Sequence, residues 1–97
     1  MNLHELLDDY ETVVDRLTEL YIERAESLAA ELTTRANAYA SLCAGGDKNI
    51  TTIREEADFA AHPHKAEAIR LTGQIDAYTA KLRLLDMKLE HWDQTNA

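Results

Sequence analysis

Turn formers are nearly missing from this chain: one proline and three glycines stand among 97 residues. A sandwich or barrel needs frequent turn residues, so this scarcity excludes an all-β fold. A single cysteine, Cys43, leaves no internal disulfide to form. No apolar run is long enough to cross a bilayer, and the start MNLHELLDDY lacks both the basic and the apolar part of a secretion signal. These absences predict a cytoplasmic protein with no membrane partner. Cys43 is then expected to be a small buried residue near a helix end.

Positive charge is the other shortage. Lys and Arg number 10 against 18 Asp and Glu, for a net charge of −8. Residues 2–43 hold nine acids and three arginines, whereas residues 63–97 hold five of each sign. Nucleic-acid backbones are gripped by Lys and Arg, so direct nucleic-acid binding is not expected. The candidate acidic face is Glu5, Asp8, Asp9, Asp15, Glu19, Glu23 and Glu26 on the first helix. Several of these recur at three- and four-residue steps, so they cluster as on a charged rod. Such a face confers solubility, or docks a basic protein, in one form by imitating nucleic-acid phosphates.

Ala, Leu and Glu are the commonest residues present, with Asp and Arg frequent beside them, a composition that suits helices. The first helix is predicted over 3–43. Its stripe is Leu7, Tyr10, Val14, Leu17, Tyr21, Ala25, Leu28, Leu32, Ala36, Tyr39 and Cys43, which repeats at the period of about 3.6 residues. Asn2 with Glu5 forms a capping box at its start, and Gly45-Gly46 stops it. A loop follows over 44–51. Thr52 with Glu55 opens a short helix, 52–61, anchored by Ile53 and Phe59. His62-Pro63 ends that helix, and Pro63 begins a third, 63–94, which frays in DQTNA. The expectation is one all-α domain over 1–97, a long antiparallel helical hairpin with a short connector helix.

The third helix carries two stripes about 180° apart. One is Leu71, Ile75, Tyr78, Leu82, Leu85, Leu89 and Trp92; the other is Ala66, Ile69, Gly73, Ala77, Ala80, Leu84 and Met87. The first stripe is assigned to the seam with helix one, with Trp92 beside Val14, Leu85 beside Tyr21 and Leu71 beside Ala36. That register leaves Leu3, Leu6 and Leu7 overhanging. The second stripe needs another neighbour, which predicts a homodimer or higher oligomer built as a four-helix-type bundle or coiled coil. Its interface residues are Leu3, Leu6, Leu7, Ile69, Gly73, Ala77, Ala80, Leu84 and Met87.

Signals for chemistry are few. No Cys-x-x-Cys or His-Glu-x-x-His spacing occurs, and His62 and His64 merely flank Pro63. Gly45-Gly46 lacks the Lys-Ser/Thr of a phosphate loop, and Ser27 and Ser41 lie in a helix without a glycine elbow. No catalytic residue, metal or cofactor is therefore assigned. Arg24 and Arg35 stand three helical turns apart on one edge of the first stripe, placed to clamp a small dicarboxylate. With Arg54 and Glu55 on the short helix, the chain resembles the all-helical chorismate mutases. That resemblance implies a dimer whose pocket uses bases of the long helix with an Arg and a Glu of the short one. Leu6 and Leu7 stand where that family has an N-terminal arginine, and the late Gln94 lies at the helix end. The length and hairpin form are also similar to the small acidic proteins exported by actinobacterial type VII systems. Their Trp-x-Gly turn is AGGDK here, and Trp92 lies at the far end. The residues point to a non-enzymatic oligomeric interaction module with an acidic face, of inhibitor or adaptor type. A chorismate-mutase-like enzyme is the alternative.

Overall fold

The computed structural model describes residues 2–96, and all regular structure among them is helical. Helix α1 spans Leu3–Gly45 and helix α2 spans Ile50–Asn96. The start of α1 is capped as its sequence predicts. Asn2 Oδ1 accepts the Glu5 N–H at 2.9 Å, and the Asn2 amide reaches back to the Glu5 carboxylate at 3.4 Å. Gly45 is the last helical residue, and Gly46 takes φ +74°, the left-handed conformation that stops a helix. At the second start, Asn49 is the cap in place of Thr52. Its Oδ1 accepts the Thr52 N–H at 2.9 Å, and α2 begins two residues before Thr52.

The expected connector helix and the break at Pro63 do not form: α2 is one helix of 47 residues with Pro63 inside it. Proline forfeits one backbone hydrogen bond and crowds the carbonyl four residues back, that of Phe59. Pro63 and Phe59 are both exposed, so water has access to what the ring leaves unbonded. Ala57, Ala61, His64 and Ala68 meanwhile carry the packed face across the proline in steps of four, three and four. The expected fraying at 95–96 is likewise replaced by helix. Thr95 donates to the His91 carbonyl at 2.9 Å, and Asn96 donates to that of Trp92 at 2.8 Å.

The chain divides into two compact units. One joins α1 as far as Ile22 with α2 from Leu71; the other is Glu23–Arg70. The first unit is built on leucine. Its core holds Leu6, Val13, Leu17, Leu20, Leu71, Ile75 and Leu85, with Tyr10, Tyr78, Leu82, Leu89 and Trp92 packed against them. The α2 stripe is the one read from the sequence. On α1, Tyr10 and Leu17 hold their expected places in the core, and the other three seam positions each fall one residue earlier than expected. Leu6, Val13 and Leu20 are buried, while Leu7, Val14 and Tyr21 are exposed. Leu3, Leu6, Tyr10, Val13, Leu17 and Leu20 alternate in steps of three and four, as do Leu71 to Trp92. A helix seated along one long partner keeps this 3.5-residue repeat, from which the 3.6 period drifts by about 20° per heptad. The two segments are antiparallel, because Leu6 lines one groove with Trp92 and Asn96. The expected overhang of Leu3, Leu6 and Leu7 is therefore absent: Leu6 is 3% exposed and Leu3 is half-buried.

The second unit has a leaner core. Ile53, Ala57, Ala61 and Ala68 are its buried residues, all from α2. On α1 the heptad positions here are Arg24, Ser27, Glu31, Thr34 and Ala38, each half-buried. Ala25, Leu28, Leu32, Ala36 and Cys43, assigned to the stripe by the 3.6 period, are exposed. An arginine ties the two segments: Arg35 Nε donates to Asp58 Oδ1 at 2.9 Å, and Arg35 Nη2 donates to Glu31 Oε1 at 3.0 Å. Beside the turn, Lys48 Nζ sits 2.6 Å from both carboxylate oxygens of Glu56.

Candidate interaction surfaces

All seven residues assigned to the acidic face are exposed. Asp8, Glu11, Asp15, Glu19, Glu23 and Glu26 follow one another along α1 in steps of three and four, which places neighbouring carboxylates about 5–6 Å apart at the Cβ level. Bases temper part of this strip. Arg16 donates to Glu19 at 3.0 Å, and His4 Nε2 lies 3.5 Å from Asp8. Glu5 is occupied with the helix cap.

Of the assigned interface residues, Leu6 is lost to the core. Leu7, Ile69, Gly73, Ala77, Ala80, Leu84 and Met87 are exposed. Within the first unit, Leu84 is 52% exposed and Met87 64%. They run into a groove of about 510 Å³ lined by Leu6, Leu84, Met87, Lys88, His91, Trp92, Thr95 and Asn96. Its walls are mostly apolar, and the Thr95 hydroxyl and Asn96 amide already donate to helix carbonyls. Sequence reasoning missed this groove because it placed Trp92 opposite Val14 rather than near Leu6. In the second unit Phe59, expected to anchor a short helix, is 82% exposed. The four-residue steps Ile53, Ala57 and Ala61 were the signal that leaves Phe59 outside.

No protein family, curated protein or solved structure matches this chain. Arg35 is held by two carboxylates, and its pKa is raised chiefly by the hydrogen bond it donates to Glu31, with Asp58 adding to it. Arg24 is half-buried and also engaged, while Arg54 and Glu55 are exposed. Two of Arg35's five N–H donors are thus directed at carboxylates of its own chain. Among the described residues no group of three His, Cys, Asp or Glu is placed to hold a metal ion. No described helix is long and apolar enough to cross a membrane. Cys43, expected to be buried, is exposed, because it falls off the seam in the last turn of α1.

Proposed function

We propose that this protein is a non-enzymatic, self-associating helical interaction module whose acidic face docks a basic protein, as an inhibitor or adaptor. The supporting observation is the balance of its apolar surface. Among the described residues eleven large apolar side chains are exposed, while eight large apolar residues and three alanines are buried. Two packed helices offer each other one seam, so a second apolar face implies a further neighbour. The acids lie on α1 among its exposed Leu7, Val14 and Tyr21, and would steer a cationic partner and set its orientation. An inhibitor that displaces nucleic acid from a basic groove is one form of this reading. The exposed Cys43 thiol fits a reducing, cytoplasmic setting.

The test is association under salt. A basic partner recovered from the native host should bind more weakly as salt rises, because screening shortens to about 8 Å near physiological ionic strength. Binding indifferent to both salt and neutralisation of Asp8, Asp15 and Glu19 would move the contact to the apolar surface. The mutase-like alternative needs Arg24 and Arg35 free for a dicarboxylate. Chorismate-to-prephenate turnover that disappears on changing either arginine would favour it.

A further inference from the structure

On the side of α2 away from the core of the first unit, Gly73, Ala77, Ala80, Leu84 and Met87 follow in steps of four, three, four and three. All five are exposed. This is a second heptad seam that the described residues leave open to solvent, with Leu84 and Met87 at the edge of the groove that Leu6 also lines. Gly73 is its oddity. A Cβ built there would meet nothing within 4 Å, so no packing inside the chain calls for glycine. A glycine inside a helix lowers helix stability all the same.

We propose that this face packs antiparallel on the same face of a second copy, about a two-fold axis lying between Ala77 and Ala80. The proposal rests on the self-associating reading above and fixes its register. Heptad seams interlock only in registers seven residues apart. In one of them Leu84 stands opposite Gly73 of the second copy, and Ala77 opposite Ala80. The large side chain fills the room that the absent one leaves. On one flank of that seam stand Asp76 and Arg83, both exposed, which meet across the axis as two opposite-charge pairs; on the other flank Lys81 stands opposite Gln74. Shifting one heptad either way spoils this. One neighbouring register sets Arg83 beside Arg83 and Asp76 beside Glu90; the other sets Asp76 beside Asp76. The flanking charges thus favour one register and penalise its neighbours.

Sedimentation equilibrium of the whole chain tests this. The wild type should show a mass rising with concentration from 10.9 kDa toward twice that value. Asp76→Arg alone and Arg83→Asp alone should each weaken assembly by roughly tenfold, since each sets like charges together. An equimolar mixture of the two variants should regain wild-type affinity, because both pairs between positions 76 and 83 are then opposite in sign. That rescue also shows that neither variant has lost its fold. Gly73→Leu should weaken assembly without lowering the melting temperature of the dilute monomer. A wild type that stays monomeric at the highest soluble concentration would overturn self-association itself. A dimer indifferent to the charge changes and to mixing would overturn this register alone.

Discussion

Leu20 and Leu71 are the largest side chains fully removed from solvent. Truncating either to alanine should cost roughly 2–5 kcal/mol, through lost transfer energy and the cavity left behind. Leu7→Ala, one residue off the seam and 49% exposed, should cost less than about 0.5 kcal/mol. Urea midpoints of the three variants check the one-residue shift directly, since the 3.6-period stripe predicts a large loss at Leu7. Gln74 is a different kind of position. Its Oε1 is buried without a hydrogen-bond partner among the described residues. Replacing it with Met removes an unsatisfied acceptor beside Ile75 and should raise stability by about 1 kcal/mol, read from the same urea curves.

Pro63 sits inside α2, so Pro63→Ala should restore a backbone hydrogen bond and stabilise the protein by roughly 1–3 kcal/mol. A loss of stability would mean the helix does break there. Gly46→Ala should cost about 1 kcal/mol, because a Cβ is strained at φ +74°. These two positions mark what was legible at the scale of elements. The capping box, the glycine stop and all seven seam residues of late α2 are visible in the sequence, because each depends on a few neighbours. The α1 seam is visible only at Tyr10 and Leu17, because Leu6 and Leu7, Val13 and Val14, and Leu20 and Tyr21 are adjacent pairs of similar apolarity. Only the alternation of three and four, set by contact with one long partner, chooses the inner member of each. Pro63 misleads for a related reason. Its local preference to end a helix is outweighed by the seam of Ala57, Ala61 and Ala68, which continues in phase on both sides. The interaction surfaces are legible only in part. The acids stand out by composition, whereas the groove beside Trp92 depends on a register that periodicity leaves open.

The whole molecule carries a net charge of −8, and its ion pairs respond to pH as their carboxylates protonate. The Glu67 carboxyl is held below its ordinary value of 4.5, first by the hydrogen bond from Arg70. Its stabilising effect is complete above pH 4.5 and is lost as pH falls through the lowered folded-state value. The pair is solvent-exposed, so Glu67→Gln should flatten the acid limb of a stability profile only slightly. Neutralising Asp8, Asp15 and Glu19 together should leave the helical circular dichroism intact, since all three face water. The contrast between the two cores has a kinetic consequence. Leucines hold the unit that contains both ends of α1 and α2 nearest the termini, while alanines and half-buried polar groups hold the unit around the turn. Terminal segments ordinarily surrender their amide protons first. Here the order should be reversed: amides between Glu23 and Arg70 should exchange with deuterium ahead of those from Leu6 to Leu20 and from Leu71 to Leu89. Local opening then begins at the turn and spreads toward the termini, and the peptides around Pro63 should be among the earliest to take up label.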